Sequence, residues 1–339
     1  MVNIGIIGLG HWGPNLVRNL SDHSDVIIQG VCDIEPSAFD RVKRFLTPNC
    51  SKTTNPQELI NSENIDAIVL VTPPSTHYSL VKTALNSKKH VFCEKPLTLS
   101  SAQDLELHTI AKEMNLVLTV GYTFLYNNGI LKVKKIIEED RLGKIYYFTT
   151  TRTHLGLIRK DVDVLWDLAP HDVSIMNFLL DSIPERVSAI GSKPLKTDRC
   201  DVGFVNLFYP SGIVGQLKVS WIDSNKERFI CVVGSHARVT FDDLDSLEPV
   251  RFYEKGIGHQ GRYEADFGEF KHLLRDGDIL SPKIEMEEPL KKNVDSFIKS
   301  ILENEINMCD GAFSSNVSMV LEAVQKSIEN HGKPESVSS

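Results

Sequence analysis

The sequence predicts an α/β protein: a doubly wound parallel sheet first, then an α+β domain with a mostly antiparallel, open sheet. Three observations carry this. Short apolar runs at 1–7, 26–32, 65–71, 90–93 and 116–120 alternate with stretches of helical spacing, the rhythm of a parallel sheet with crossover helices. From about residue 122 that rhythm changes, and strand-like runs at 185–190, 202–209, 212–220, 227–233 and 237–241 follow one another across short turns. Short turns imply antiparallel pairing. The first strand also breaks into a glycine-rich turn of a kind that parallel sheets use.

That turn sets the first domain. MVNIGII has the length and branching of a buried strand, and it runs into Gly8-Leu9-Gly10-His11-Trp12-Gly13, a G-x-G-x-x-G. Pro14 then opens a helix, at the position where proline costs least. One glycine makes the tight turn, one lets the backbone approach a pyrophosphate, and one lets helix and strand pack closely. The free N–H groups of the first helical turn face the phosphates. The second apolar run ends in Asp33, about twenty residues on, where a dinucleotide-binding unit places a carboxylate on the ribose hydroxyls. Strand, turn, helix, strand and acid fall in order, so a Rossmann domain is expected over 1–121. Asp33 also favours NAD over NADP. A carboxylate about 4 Å from a 2′-phosphate is repelled by roughly 4 kcal/mol per unit charge at an effective dielectric near 20. No arginine follows directly; Arg41 and Arg44 lie farther along.

The remaining elements follow in order. Helices are expected at 36–46, from Asn55, at 76–86 and at 100–114. Ligands of such sheets lie beyond the carboxyl ends of the strands, which here hold the glycine turn, Asp33, Thr72 to His77, Glu94-Lys95 and Gly121-Tyr122. The second domain, 122–339, opens with a helix at 129–139, a strand at 144–153 and a helix at 166–180. After its strands, helices at 289–302 and 314–329 close the chain, and the tail 331–339 is expected to fray.

Composition narrows the function. The 339 residues suit about two domains, and the 41% hydrophobic and 24% charged fractions are those of an ordinary globular protein. A net charge of −8 without a basic stripe argues against nucleic acid. The six cysteines show no C-x-x-C and read as reduced thiols of a cytoplasmic protein. No signal peptide is evident. No apolar stretch approaches the ~20 residues of a membrane span.

Two groups of residues could act on a substrate. Lys95, in Glu94-Lys95-Pro96, could stabilise alkoxide character or relay a proton, although its residue type alone reads as an ordinary surface lysine. In Trp166-Asp167-Leu168-Ala169-Pro170-His171-Asp172, Asp167 and His171 are four apart and share a face if the segment is helical. Histidine suits taking an alcohol proton as hydride leaves the carbon. The bland alternative is an N-cap at Asp167 beside a satisfied histidine. A metal is disfavoured, because the spacing indicates no third ligand.

Together GLGHWG, TPPSTHYSL, EKP and WDLAPHD resemble the Gfo/Idh/MocA oxidoreductase family in order and spacing, over nearly the whole chain. The resemblance implies NAD(P)-dependent interconversion of alcohols and ketones, mostly on sugars. It implies an open second-domain sheet that lines the substrate site and often makes subunit contacts; the later strands, with apolar residues on both faces, lead to the expectation of a homodimer or homotetramer. Lys95 matches the catalytic lysine, and Asp167 and His171 match the D-x-x-x-H pair. Asp33 matches the ribose carboxylate, while Trp12, Pro73, His77 and Glu94 match positions lining the cofactor cleft. Gly8, Gly10, His11, Gly13 and Thr72 complete the expected cofactor contacts. GHWGPNLVRN, THLGL and WDLAPHD are further similar to a branch that oxidises C3 of UDP-linked N-acetylated sugars for polysaccharide synthesis. Many relatives carry an arginine where this chain has Leu125. Tyr126, Arg152 and His154 are the candidate replacements for that substrate contact. Two alternatives stand beside this reading: a dehydrogenase or reductase of a free polyol, such as inositol or glucose, and a non-catalytic dinucleotide-binding regulator.

Overall fold

The computed structural model describes residues 1–337 apart from Leu157, Lys160 and 259–272. The chain forms two compact units: Met1–Tyr126 with Glu287–Glu322, and Asn127–Met286 with the chain from Ala323 onward.

In the first unit, strands β1 (Val2–Ile7), β2 (Val26–Cys32), β3 (Ser51–Thr53), β4 (Ala67–Leu70), β5 (His90–Cys93) and β6 (Leu118–Val120) form one sheet in the order β3-β2-β1-β4-β5-β6. Every neighbouring pair is parallel. The crossovers carry helices α1 (Gly13–Ser21), α2 (Pro56–Ile60), α3 (Pro74–Asn86) and α4 (Ser101–Glu113). Strand order reverses between β1 and β4, the switch point at which such sheets bind ligands. The expected helix at 36–46 is instead two 3-10 turns, Pro36–Arg41 and Lys43–Phe45. Its apolar residues are spaced to anchor a short cover over the sheet, where Ala38 and Val42 are buried.

The second unit holds helices α5 (Asn128–Glu138) and α6 (Val164–Leu180) and strands β7 (Ile145–Leu155), β8 (Arg186–Ser192), β9 (Val202–Phe208), β10 (Val214–Ser220), β11 (Ile222–Gly234), β12 (Arg238–Asp242) and β13 (Val250–Tyr253). A small pair, β14 (Gly256–Gly258) with β15 (Leu273–Arg275), precedes β16 (Ile279–Leu280). Helices α7 (Pro289–Glu303) and α8 (Gly311–Glu329) and strand β17 (Glu335–Ser336) end the chain. The nine-stranded sheet runs β16-β13-β12-β11-β7-β10-β9-β8-β17. Its β7–β10 pair is parallel, and the other pairs are antiparallel.

Two boundaries differ from the sequence expectation. Helix α7, placed by sequence in the second domain, belongs to the first unit. Its face of Leu290, Val294, Phe297 and Ile298 joins the core of β1, β4 and α1, with the Phe297 ring edge-on to Phe92 at 5.7 Å. The helix starts where Glu288 pairs with Arg18 and accepts from Asn19. The tail is also not wholly frayed: β17 adds an edge to β8, and Val337 donates its N–H to the Glu185 carbonyl at 2.8 Å.

Candidate functional site

Parallel pairing puts the ends of β1, β2, β4, β5 and β6 on one edge, and the expected nucleotide residues of the first unit gather there. Gly8 has φ +101°, and a Cβ on it would lie 2.5 Å from the Val71 carbonyl oxygen. A Cβ on Gly13 would lie 2.6 Å from the Gly8 oxygen, so this glycine lets α1 pack tightly against its own turn. Gly10 differs, because a Cβ there would meet nothing within 4 Å. Packing does not demand that glycine. A glycine there leaves room for a ligand to approach the backbone.

Asp33 is held by the same turn. One of its carboxylate oxygens accepts from Leu9 N at 2.6 Å and the other from Glu35 N at 2.9 Å. A carboxylate has about four lone-pair sites, so acceptor capacity remains for ribose hydroxyls. Open space at Gly10, an oriented Asp33 and the start of α1 suit a dinucleotide. Arg41, which the sequence left distant, reaches the turn and donates to the Leu9 carbonyl at 3.3 Å.

The β4 and β5 turns are joined by His77, which is 1% exposed. Its ring nitrogens lie 2.8 Å from the Thr72 carbonyl and 2.9 Å from the Pro96 carbonyl. The Thr72 hydroxyl accepts from Thr76, and Pro73 leads directly into α3. The Lys95–Pro96 peptide bond is cis. Beside it, Glu94 accepts from Trp12 Nε1 at 2.9 Å and from the Lys95 amide at 3.3 Å. Protein atoms crowd its carboxyl, and this burial pushes its pKa up to about 7 against the pull of Lys95 and Trp12. The side chain keeps a partial opening to solvent.

The second unit presents the other pair. Asp163 caps α6, accepting from Trp166 N at 3.0 Å. Asp167 is therefore not the cap; it lies within the first turn, four residues before His171 on the same face. Its carboxylate accepts from Arg159 Nη1 at 3.3 Å, while the same guanidinium grips Asp161 at 2.6 and 3.0 Å. Arg159 is not among the residues expected from sequence; its one signal there is its place in a charged loop before the helix. Pro170 sits inside α6 and removes the ladder donor that would pair with Trp166.

The three candidate substrate residues are placed differently. Arg152 is 5% exposed, and its guanidinium holds Asp172 with contacts of 2.7 and 3.3 Å. It ties α6 to β7 rather than facing solvent. Tyr126 is 6% exposed, and its hydroxyl donates to Ser296 on α7 at 3.1 Å. Burial pushes its pKa up, so it is a fixed neutral group in the first unit. His154 is partly exposed; burial lowers its pKa, the nearby Asp167 charge raises it, and Arg228 lowers it. His154 therefore lies close enough to Asp167 to feel its charge. Among the described residues, no group of three or more His, Cys, Asp or Glu could hold a metal.

Comparison with known proteins agrees with both halves. Residues 2–122 match the model of the "oxidoreductase family, NAD-binding Rossmann fold", and residues 130–240 match the Gfo/Idh/MocA C-terminal domain. The chain is 28% identical to the myo-inositol 2-dehydrogenase of Thermotoga maritima over 271 residues, 75% of this chain and 79% of that one. It is 27% identical to the 2,7-anhydro-N-acetylneuraminate hydratase of Escherichia coli K12 over 267 residues, 74% and 70% of the two chains. In fold it is similar to the UDP-N-acetylglucosamine 3-dehydrogenase of Acidithiobacillus ferrooxidans, with TM-score 0.80 and 21% identity, covering 98% and 99% of the chains. Both family models fall in order along roughly two thirds of the sequence, and the chain belongs to the Gfo/Idh/MocA oxidoreductases, with NAD as the cofactor of its first unit.

Proposed function

We propose that this oxidoreductase moves a hydride between NAD and a secondary hydroxyl of a sugar, a nucleotide sugar such as a UDP-linked N-acetylated sugar at C3, for polysaccharide synthesis. The observation that carries the chemistry is the spacing of Asp167 and His171, four residues apart within α6, whose cap is Asp163. That spacing places Asp167 and His171 on one helical face, where they can act as an acid–base pair. NAD, when bound, accepts or returns the hydride. His171 takes the hydroxyl proton, Asp167 orients the imidazole and stabilises its charged form, and Lys95 supplies positive charge as the oxygen becomes alkoxide-like. The nucleotide-sugar assignment rests on the likeness of GHWGPNLVRN, THLGL and WDLAPHD to that branch.

A free polyol such as inositol is the second reading, favoured by the myo-inositol dehydrogenase among the relatives. Reduction of NAD by the purified protein, measured across UDP-sugars, dTDP-sugars and free polyols, separates the two. Turnover confined to polyols would overturn the nucleotide-sugar reading. Binding of NAD with no turnover of either class would favour a regulator. Conversion of a sugar without net NADH would instead indicate internal cofactor recycling.

We further propose that the protein works in the cytoplasm as a homodimer or homotetramer built on the nine-stranded sheet. Helix α6 covers one sheet face, touching it through Asp172–Arg152 and Leu165 beside Gly203. The other face exposes Tyr147, Ile190, Phe204 and Val214, apolar residues that usually mark an interface.

A further inference from the structure

We propose that Glu94 selects the redox form of the cofactor: its carboxylate favours oxidised NAD and takes up a proton when the reduced form is bound. This rests on the reading that the chain exchanges hydride with NAD. Glu94 follows β5, beside the switch point, and is tied to the glycine turn through Trp12 Nε1. Trp12 is 41% exposed, so this hydrogen bond stands at the open edge of the nucleotide site. On the β6 side the backbone closes in: a Cβ on Gly121 would lie 3.0 Å from the carboxyl. The carboxyl is thus crowded on two sides and open on a third.

Among the described residues, the groups that act on it come from its own turn and its immediate neighbours. Its own turn supplies the Lys95 cation and the Lys95 amide, the glycine turn supplies the Trp12 N–H, and β6 supplies a glycine. Cys93 precedes it, a buried thiol whose own pKa burial and Glu94 both raise. Lys95 and Trp12 do not outweigh the burial, and the group titrates at about 7. The oxidised nicotinamide ring carries a positive charge and the reduced ring none. At an effective dielectric near 20, an ionised carboxylate within about 10 Å favours the charged ring on the order of tenfold. Coupling between two bound species is reciprocal, so oxidised NAD in turn favours the ionised carboxylate.

The test is equilibrium calorimetry of NAD and NADH with the whole protein from about pH 5.5 to 8.5, reading the ratio of the two affinities across Glu94's titration. Charges that act alike on both forms, including any on the glycine turn, cancel in that ratio. Preference for the oxidised form is expected to grow about tenfold as pH rises through 7. Glu94→Gln is expected to hold the ratio flat near its low-pH value. Trp12→Phe keeps the carboxyl, removes a donor that favours its ionised form, and is expected to shift the midpoint upward. It carries the test even if Glu94→Gln does not fold. A pH-independent ratio in the unmodified protein, an unchanged slope in Glu94→Gln, or an unmoved midpoint in Trp12→Phe would each overturn the proposal. Failure of both forms to bind would overturn the nucleotide assignment, and this proposal with it.

Discussion

At the scale of single residues, Asp33 and Arg41 are expected to act on the choice of cofactor in opposite directions, the carboxylate repelling a 2′-phosphate and the guanidinium attracting it. Asp33 is oriented by two backbone amides, and Arg41 stands at the same turn. NAD is expected to bind at least tenfold tighter than NADP, a difference of about 1.4 kcal/mol. Asp33→Ala is expected to narrow that gap by relieving repulsion of the 2′-phosphate while leaving the Arg41 cation in place. Titration with both dinucleotides checks it; equal affinities in the unmodified protein would remove the role of Asp33. The positions of the glycine turn and Asp33 at the strand ends were legible because a strand–turn–helix–strand unit sets them at fixed intervals, the shared face of Asp167 and His171 followed from their spacing, and the role expected of Glu94 came from the family resemblance. Arg41, Arg159 and the Trp12–Glu94 bond were not legible, since each depends on which loops the fold brings together. Arg152 was misplaced for a related reason: an arginine in a strand carries no sequence sign of the face it occupies.

Elements are held by two buried polar groups with different expected behaviour. Arg152 and Asp172 join β7 to α6 at 6% and 2% side-chain exposure. Arg152→Met strands Asp172 in the interior and is expected to cost about 3 kcal/mol of stability, read as a lower denaturant midpoint. A pure rise in KM with normal stability would return Arg152 to the substrate. Asp104 on α4 accepts from Thr98, Ser314 and Ser318, and Ser314 also meets the Tyr122 hydroxyl, so one carboxyl links α4 and α8 with the turns after β5 and β6. Burial lifts its pKa from 3.8 to about 6, against the pull of the three hydroxyls. A raised carboxyl favours the folded state fully below about pH 4, and that contribution is lost as pH rises through about 6. Measured against Asp104→Asn, the unmodified protein is therefore expected to lose relative stability from pH 4 to 7, by about 3 kcal/mol. A pH-independent difference would contradict it. Periodicity revealed nearly every long element but took 36–46 for one helix. Its apolar residues fit helical spacing, yet the short connection into β3 is spanned by two tighter turns.

For the whole molecule, the two-unit division was legible from the change of strand rhythm, whereas the return of α7 to the first unit was not. An amphipathic helix states that it has a partner, not which sheet that partner is. The exposed row of Tyr147, Phe204 and Val214 is expected to be covered by a second copy through a symmetric contact. Light scattering at micromolar concentration is expected to give a dimer or tetramer, and Phe204→Glu to lower that mass; a monomer throughout would leave the face unexplained. Substrate chemistry is tested most directly by single-turnover hydride transfer, which excludes product release. With NAD bound and a sugar substrate, His171→Ala is expected to slow that step by about 10²- to 10⁴-fold, the usual worth of a positioned base, with NAD affinity near normal. An unchanged hydride-transfer rate in His171→Ala would make His171 structural and pass the role of base to Lys95.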